Sequence, residues 1–524
     1  MPVARTRSIA LIGMRGEIVD IEGDLGDGVP KFFLIGLPDA ALGEAKQRVR
    51  AACANSGLDL PNKVYTVNLS PAALPKHGSS FDLGIALALL AAAGSVPAES
   101  VARVVHLGEL GLDGRLRPVP GVLPAVLAAK RAGCPTVIVP AANEAEASLV
   151  DGIRVVGVSS LRTAALWHGA ELDALEADAP DESRALPAPA RTDEATRGEG
   201  SAVPDLADVV GNAEAVEALV VAAAGGHHLF LLGPPGAGKT MLAARLPGIL
   251  PPLEPEAAIE VASVRSLSGL RVDSLATSPP FEAPHHSATA PAIVGGGSGL
   301  IRPGAIARAA HGVLFLDEAP EFSRVALDAL RQPLESGVIE IHRANATARF
   351  PANFLLVLAA NPCPCGMAGV ADAQCACTPM ARRRYLGRLS GPLLDRIDLQ
   401  LRVRRISAAQ FRDAHGRPAT TSTAEAARRV RDARAAASAR FAGMPWRLNA
   451  HAPGPWLRGS RGGRRLPPNV TSAIDRALER GAITMRGYDR CLRAAWTIAD
   501  LAGAAAPREE HVGMALALRR SMGS

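Results

Sequence analysis

Runs of consecutive apolar residues recur in the middle of the chain, and each run ends in polar or charged residues. They are His227–Gly233, Gly312–Glu318 and Asn353–Pro362. Strands that are buried on both faces of a parallel sheet have this near-continuous apolar character, because helices cover both sides of the sheet. The pattern therefore predicts an α/β core with a parallel sheet between residues 205 and 404.

The regions on either side of this core have different patterns. Residues 1–170 predict a separate α/β domain, with strands at Val64–Leu69 and Thr136–Pro140 and a helix at Phe81–Ala93. Residues 405–524 are rich in Ala and Arg at helical spacing. This spacing predicts an all-helical lid domain at the C-terminal end of the chain.

A third kind of segment joins the first two domains. Residues 171–204 contain nine acidic and three basic residues, with prolines at positions 180, 187, 189 and 204. Such a composition cannot bury enough apolar surface to fold, and it predicts an acidic flexible linker. A poorly patterned helix at its start is the alternative.

Composition narrows the classes of function. The 524-residue chain has a net charge of +6 but only 3% aromatic residues. A base-stacking platform for single-stranded nucleic acid needs aromatic side chains, whereas the mild positive charge is compatible with nucleic acid without establishing it. We see no signal peptide and no apolar stretch of about 18 residues that would span a membrane. We therefore expect a cytoplasmic protein without a membrane partner.

The sequence GPPGAGKT follows the first apolar run and precedes a predicted helix, which is the context of a phosphate-binding loop. Its glycines let backbone N–H groups converge on phosphates, and the helix N-terminus adds a favourable dipole. We expect Lys239 to reach the β- and γ-phosphates and the Thr240 hydroxyl to bind Mg²⁺. The expected ATP-binding residues are Gly233, Pro234, Pro235, Gly236, Ala237, Gly238, Lys239, Thr240 and Met241.

Two acids end the second apolar run. A carboxylate at the end of a buried strand is costly unless it serves a charge, so Asp317 is expected to position Mg²⁺ and its water. Glu318 is expected to orient and polarise the water that attacks the γ-phosphate, since phosphoryl transfer depends mainly on positioning. A strand end that simply enters a turn is the alternative reading of this pair.

Two further polar residues suit roles around the γ-phosphate. Asn361 ends the third run, where it could act as a polar sensor, or alternatively as a turn residue before Pro362. Arg396 could reach the γ-phosphate of a neighbouring subunit as an arginine finger. A surface ion pair of Arg396 with Asp395 or Asp398 is the alternative.

Four of the seven cysteines lie close together just after Asn361. Cys363, Cys365, Cys375 and Cys377 form two C-x-C pairs. Four thiolates from two such pairs could hold Zn²⁺ in a closed tetrahedral site. Reduced thiols in a loop are the alternative, and a disulfide is disfavoured in the cytoplasm.

Several longer motifs resemble a known family. They are DLADVVG (Asp205–Gly211), Ala222–Ala243, FEAPHHSAT (Phe281–Thr289), Gly295–Phe322, NPCPCG (Asn361–Gly366) and SGPLLDRIDL (Ser390–Leu399). Nearly the whole chain is similar to the YifB/ComM family of magnesium-chelatase-like AAA+ ATPases, which is related to the MCM helicases. The resemblance implies an ATP-hydrolysing, homo-hexameric motor that drives DNA branch migration. A chelatase-type motor and a protein-remodelling ATPase are the alternative functions.

The resemblance also suggests roles for individual residues. It supports Arg396 as the arginine finger and places the sensor-2 arginine at Arg486, with Arg490 and Arg493 as alternatives at helical spacing. A solvated basic face is the other reading of these arginines. The resemblance places His285 and His286 in a segment where related motors carry substrate-facing hairpins, although ordinary loop histidines are equally compatible.

The N-terminal domain is similar to the proteolytic domain of Lon. The stretch Lys76–Leu90 matches the segment around Lon's nucleophile and places Ser80 there, whereas the position of the activating lysine holds Leu123. A serine without a base has no means of activation. The resemblance therefore implies a Lon-like fold without peptidase activity, with Lys76 and Lys130 as the nearest lysines.

Arginine clusters provide a physical basis for DNA binding. They are Arg428, Arg429, Arg431 and Arg434 in the lid, and Arg458, Arg461, Arg464 and Arg465 before its last helices. Clustered arginines can contact phosphates without reading sequence. Composition alone favours solvated helix faces, and it is the family resemblance that favours DNA.

Overall fold

The computed structural model describes residues 3–36, 43–172, 204–297, 301–343, 346–369, 374–406, 421–459 and 464–520. Most of the segment predicted to be an acidic linker lies outside these residues. The predicted boundaries of the four segments remain predictions.

The N-terminal part of the chain forms a seven-stranded mixed sheet with the order β3-β4-β2-β1-β5-β8-β9. Its strands and the short β6–β7 pair are β1 (Ala4–Ile12), β2 (Arg15–Gly26), β3 (Lys31–Ile35), β4 (Val64–Ser70), β5 (Val104–His106), β6 (Glu109–Leu110), β7 (Leu116–Arg117), β8 (Thr136–Pro140) and β9 (Arg154–Val158). The helices are α1 (Ala45–Asn55), α2 (Asp82–Ala93), α3 (Ala98–Ala102), α4 (Val122–Arg131), α5 (Glu144–Ala147) and α6 (Leu161–Trp167).

The helix predicted at residues 81–93 is confirmed as α2. Residues 82–91 of this helix are all buried, which explains why its sequence is apolar on every side. The helix ends at Gly94, whose φ of 81° lies in the left-handed region that glycine adopts without strain.

The long hairpin of β1 and β2 connects the N-terminal unit to the core. The two strands pair antiparallel from Ala4↔Gly23 to Ile12↔Arg15. At the turn, Gly13 has a φ of +61°, and an added Cβ would lie 3.0 Å from the Arg349 carbonyl oxygen. Glycine is therefore required where the hairpin tip meets the backbone of the core.

The core contains a five-stranded sheet with the order β11-β14-β17-β10-β18, and all neighbouring strands in it are parallel. The strands are β10 (Leu229–Leu232), β11 (Phe281–Glu282), β14 (Val313–Leu316), β17 (Leu355–Ala360) and β18 (Leu399–Arg402). The three predicted strands are confirmed as β10, β14 and β17, and all their residues are buried. The edge strands β11 and β18 were not predicted.

Two hairpins and ten helices surround this sheet in the described part of the core. The hairpins are β12 (Gly295–Gly296) with β13 (Arg302–Pro303), and β15 (Val338–Arg343) with β16 (Ala346–Pro351). The helices are α7 (Ala213–Gly225), α8 (Lys239–Ala243), α9 (Leu246–Ile249), α10 (Pro255–Leu267), α11 (Ala290–Val294), α12 (Ala305–Arg308), α13 (Arg324–Asp328), α14 (Pro333–Ser336), α15 (Pro379–Leu386) and α16 (Gly391–Leu394).

The register of the parallel strands explains where a site can form. Leu316 pairs with Leu358, and Leu232 pairs with Ala360. The carboxyl ends of β10, β14 and β17 therefore lie at one edge of the sheet, where open α/β sheets bind their ligands.

The C-terminal part is helical, as predicted. Its helices are α17 (Thr423–Arg440), α18 (Gly454–Leu457), α19 (Pro468–Glu479), α20 (Met485–Leu501) and α21 (Glu509–Arg520). Inside this bundle the buried Asp500 carboxylate accepts a hydrogen bond of 2.7 Å from Arg440, whose guanidinium lies 4.5 Å from the centroid of the Trp496 ring. A paired, stacked guanidinium avoids the desolvation cost of an isolated buried charge.

A second buried ion pair fastens this bundle to the core. Asp398, at the start of β18, pairs with Arg490 of α20 and lies 3.6 Å from His227 Nδ1. Burial alone would raise the pKa of Asp398, but the Arg490 guanidinium and His227 hold that pKa well below its usual range. Removing one partner would leave a buried charge uncompensated, so the pair fixes the relative position of the two units.

Only part of the predicted lid arginine cluster is exposed. Arg434 is directed inward and donates to the Ala223 carbonyl at 2.6 Å, and Arg429 pairs with Glu217. Near the last helices, Arg458 pairs with Asp489. These contacts hold the three guanidinium groups against the protein. The arginines that remain exposed are Arg428, Arg431, Arg464 and Arg465, and Arg461 lies outside the described residues.

Candidate nucleotide site

The phosphate-binding loop runs from the end of β10 to the start of α8. Gly238 has a φ of +90° immediately before Lys239, a conformation that residues with a side chain rarely adopt. At Gly233, an added Cβ would lie 2.4 Å from the Val403 carbonyl oxygen. The two glycines are therefore needed for the turn and for the close approach of the neighbouring chain segment.

The Lys239 amine connects this loop to Asn361, which follows β17. Its Nζ donates to the Gly233 carbonyl at 2.6 Å, to the Pro234 carbonyl at 3.1 Å and to Asn361 Oδ1 at 3.0 Å. Burial lowers the pKa of Lys239, and the nearby carboxylates of Asp317 and Glu318 act in the opposite direction. The geometry places the Lys239 cation and the Asn361 amide side by side at the carboxyl edge of the sheet.

The acid pair follows β14 and lies against the helix that begins at Lys239. The Thr240 hydroxyl donates to Asp317 Oδ2 at 2.7 Å. Hydroxyl and carboxylate oxygens are the hard ligands that Mg²⁺ prefers, together with water and phosphate oxygens. Thr240 and Asp317 therefore fit a magnesium ion in both ligand type and position.

Glu318 adopts an unusual backbone conformation next to this pair. Its φ of 49° lies in the left-handed region, which is uncommon for a residue other than glycine. Its backbone N–H donates to Asp317 Oδ1 at 2.9 Å. Its side chain is about half exposed. Such strain at a strand end is a feature of functional sites, and here it directs two adjacent carboxylates toward different partners.

Glu318 has a neighbour that sequence reasoning did not predict. His286 Nδ1 lies 3.6 Å from Glu318 Oε2, whereas His285 Nδ1 lies 2.8 Å from the Ser287 hydroxyl. The sequence interpretation treated the two histidines alike, but the structure separates them. The signal that was missed is the edge strand β11, which runs parallel to β14 and carries the chain toward the acid pair.

Arg396 contacts residues outside the chain's own phosphate loop. Its guanidinium donates to the Pro392 carbonyl at 2.6 Å and pairs with Glu335. The partner is therefore not Asp395 or Asp398, as the alternative reading supposed. An open cavity of about 470 Å³ is lined by Asp328, Arg331, Gln332, Glu335, Ser336 and Arg396.

The three candidates for the sensor-2 arginine have different environments. Arg486, at the start of α20, is exposed and lies 3.9 Å from the Asp395 carboxylate. Arg490 forms the buried pair with Asp398, and Arg493 donates to the Ala452 carbonyl at 2.8 Å. Arg486 is thus the candidate that is exposed to solvent, and its sensor role remains a prediction.

Three matches to known families cover most of the chain. Residues 205–411 match the family described as magnesium chelatase, subunit ChlI. Residues 21–143 match subunit ChlI of Mg-chelatase, and residues 420–519 match the C-terminal region of the magnesium chelatase subunit ChlI.

Full-length relatives make the assignment more specific. A protein of Mycobacterium tuberculosis is 49% identical over 99% of both chains. Competence protein ComM of Haemophilus influenzae is 40% identical over 99% of this chain and 98% of its own. Protein YifB of Escherichia coli is 37% identical over 99% of this chain and 97% of its own. The chain belongs to the YifB/ComM family of magnesium-chelatase-like proteins.

The family assignment confirms the resemblance inferred from the motifs. The YifB/ComM family is of the AAA+ class, and this class implies the use of ATP and Mg²⁺. The Lon protease of Heliobacterium modesticaldum is 34% identical over 131 residues, which is 24% of this chain and 16% of its own. The predicted fold class is confirmed, with a Lon-like α/β unit, a parallel-sheet core and a helical C-terminal region.

In the Lon-like unit, Leu123 and Lys76 are both buried, and the absence of peptidase activity stays a prediction. Leu123 is fully buried in α4, where its N–H donates to Glu146 Oε1 at 3.0 Å. Lys76 is also buried, and its amine donates to the Gly36 carbonyl at 2.9 Å and the Leu69 carbonyl at 3.0 Å. Burial lowers the pKa of Lys76, but the amine already donates its hydrogens to backbone carbonyls.

The four cysteines come together in space. The Sγ atoms of Cys363, Cys365 and Cys375 are 3.4 to 3.6 Å apart, and the set including Cys377 lies within 4.8 Å. Tetrahedral Zn²⁺ with Zn–S bonds of about 2.3 Å separates its sulfur ligands by roughly 3.8 Å. The cluster therefore has the size and ligand type of a zinc site. A hydrogen bond from the Cys377 backbone lowers the pKa of Cys375 to about 7.

The cysteine loop touches the nucleotide site. A Cβ added to Gly366, which has a φ of +77°, would lie 2.6 Å from the Pro235 ring of the phosphate loop. The loop also begins directly after Asn361.

Among the described residues, no helix is long and apolar enough to cross a membrane.

Replacing Glu318 with Gln tests the acid pair. The amide keeps the size of the side chain but cannot polarise an attacking water, so we expect ATP binding to persist while hydrolysis slows by about 100-fold or more. The measurement is steady-state ATP turnover together with nucleotide binding. Glu321→Gln, which alters an exposed acid paired with Arg388, is the matched control. Turnover at the wild-type rate in Glu318→Gln would remove Glu318 from this role.

Proposed function

We propose that this chain is an ATP-hydrolysing motor that forms a ring, most simply a homo-hexamer, and translocates on DNA to promote branch migration during recombination or transformation. ATP hydrolysis is supported by one observation. Lys239, Asn361 and the Thr240–Asp317 pair lie together at the carboxyl edge of the sheet. We place the activity in the cytoplasm, where thiols such as those of the cysteine cluster remain reduced.

Each residue of the site has a distinct task in this proposal. In the segment Gly233–Met241, backbone N–H groups, which the two prolines lack, bind the phosphates, and Lys239 approaches the β- and γ-phosphates. Thr240 and Asp317 hold Mg²⁺, which supplies charge neutralisation when bound. Glu318 orients the attacking water, and Asn361 holds the Lys239 amine beside the γ-phosphate. Positioning and electrostatic stabilisation supply most of the catalysis in phosphoryl transfer.

The ring is proposed because the contacts of Arg396 are with residues outside the phosphate loop of its own chain. Its contacts with Pro392 and Glu335 place it beside an open cavity in which Arg331 also lies. An arginine that stabilises the transition state can be supplied by another protein chain. A neighbouring subunit would bring its nucleotide to Arg396, and Arg486 at the start of α20 would contact nucleotide from the lid.

DNA is proposed as the substrate for two reasons. A full-length relative carries the name competence protein, and competence concerns the uptake of DNA. The lid carries Arg428 and Arg431, which are exposed, and Arg464 and Arg465 lie exposed before the last helices. Such arginines can neutralise phosphates irrespective of sequence.

A chelatase-type or protein-remodelling ATPase is the second candidate. The matches to magnesium chelatase subunits over three segments of the chain favour it. This candidate uses the same ATP site but acts on a protein partner. The stimulus that raises ATP turnover therefore distinguishes the two candidates.

We also propose that the four cysteines bind Zn²⁺. A long loop between Asn361 and α15 needs a source of order, and a closed four-thiolate site provides one. Because Gly366 contacts Pro235, the metal would also support the phosphate loop.

The role of Arg396 in a neighbouring site predicts complementation. Mixing Arg396→Ala subunits with Lys239→Ala subunits should restore part of the ATPase activity, because some interfaces then pair an intact loop with an intact arginine. Each variant alone is the control and should have little activity. A monomer in sedimentation that hydrolyses ATP at the full rate would contradict the proposal.

The DNA proposal predicts that DNA stimulates ATP turnover and that the motor moves DNA junctions. Binding should weaken steeply with salt, and replacing Arg428 and Arg431 with Ala should reduce the salt slope by about two. The same change at the exposed Arg103 and Arg131 of the N-terminal unit is the matched control. If no DNA form binds while a protein partner raises turnover, the second candidate replaces this one.

The zinc proposal predicts about one zinc per chain in protein purified under reducing conditions without chelator. Cys365→Ser and Cys375→Ser should lose the metal, whereas Cys134→Ser, which changes a buried cysteine elsewhere, should keep it. Elemental analysis by mass spectrometry measures the content. Wild-type protein without metal would contradict the assignment.

A further inference from the structure

His286 and Glu318 lie in turns that follow two paired parallel strands. Glu282 of β11 pairs with Leu314 of β14. Each chain then continues four residues beyond its paired position, one to His286 and the other to Glu318. His286 Nδ1 lies 3.6 Å from Glu318 Oε2. Both residues lie in turns beyond the strand ends, so the sheet brings the two turns to the same edge and the turns themselves make the contact.

The orientation of His286 is supported by its neighbours. The ring of His285 lies 4.0 Å from that of His286, centroid to centroid, at an angle of 36°. His285 is itself held by Ser287, whose backbone N–H donates to His285 Nδ1 at 3.3 Å. The His286 ring therefore packs against the His285 ring, which hydrogen bonds with Ser287 hold in place.

Glu318 is the residue that His286 approaches. Its backbone is in the left-handed region, and its side chain is half exposed. Within the described chain, His286 is the one histidine, lysine or arginine whose side-chain nitrogen lies within 4.0 Å of the Glu318 carboxylate. A distance of 3.6 Å is too long for a hydrogen bond, so a small movement decides whether the imidazole holds the carboxylate.

We propose that His286 is a positioning residue, which holds the Glu318 carboxylate in the orientation that activates the attacking water. This inference rests on the proposed ATPase function and adds a residue to it. His286 acts through Glu318 and not on the phosphates. Its loss should therefore impair the chemical step while leaving ATP binding intact.

The experiment compares four variants with wild type in steady-state ATP hydrolysis. His286→Ala should lower kcat by about tenfold to 100-fold, since small misplacements of a catalytic group have costs of that size. The KM for ATP should stay unchanged, because the interaction lost is made in the transition state and not in ATP binding. His342→Ala, the matched control, removes an exposed histidine of β15 that does not contact Glu318 and should lower kcat by less than about threefold.

Two conservative variants distinguish positioning from packing. The amide nitrogen of Asn occupies nearly the place of imidazole Nδ1, whereas that of Gln lies one bond further from the backbone. His286→Asn should therefore recover most of the lost kcat, and His286→Gln should recover less. Mant-ATP binding and thermal melting check that each variant folds and binds nucleotide.

The outcomes separate this inference from the proposed function. If wild type hydrolyses ATP and His286→Ala is as fast, or if Asn and Gln behave like Ala, the positioning role is overturned while the ATPase stands. A change in KM alone would also overturn it. If wild type hydrolyses no ATP, the proposed function itself fails. Should His286→Ala fail to fold, the comparison of Asn with Gln decides the question.

Discussion

The Lys239 amine is the interaction on which the candidate site depends. Its hydrogen bonds join the phosphate loop to Asn361, the residue that follows β17. The acceptors are the Gly233 and Pro234 carbonyls and Asn361 Oδ1. A buried ammonium is costly unless its hydrogens are donated, and burial lowers the pKa of Lys239 although two carboxylates oppose that effect. The edge of the sheet is therefore arranged around one cation. Oxygen acceptors surround the amine, and the acid pair lies nearby.

The parallel sheet and the buried pair of Asp398 with Arg490 connect the candidate site to the rest of the chain. Strand register brings three strand ends to one edge, and the turns that follow β11 and β14 bring His286 to Glu318. Asp398 lies two residues after Arg396 and is paired with Arg490 of α20. The arginine beside the open cavity and the helix that starts near Arg486 are thus anchored at one buried carboxylate. The proposed ring would use such rigid links, because the site of one subunit and the arginine of the next would have to move together.

Much of the fold and of the site could be predicted from the sequence. The apolar runs identified β10, β14 and β17, because strands buried on both faces cannot tolerate polar positions. The phosphate-loop spacing located Lys239 and Thr240 next to Asp317. The short edge strand β11 was missed because two residues leave no periodicity, and the contact of His286 with Glu318 was missed with it. The burial of Arg434 and the pairing of Arg396 with Glu335 depend on tertiary neighbours that no local pattern reveals.

The central claim is that ATP is bound and hydrolysed around Lys239. The most direct test is the rate of Mg²⁺-dependent ATP hydrolysis by purified wild-type protein and by Lys239→Ala, with nucleotide affinity measured on the same samples. Lys130→Ala, which changes an exposed lysine of the N-terminal unit, is the control. We expect turnover in wild type and the control, and none in Lys239→Ala. Equal turnover in all three proteins would contradict it.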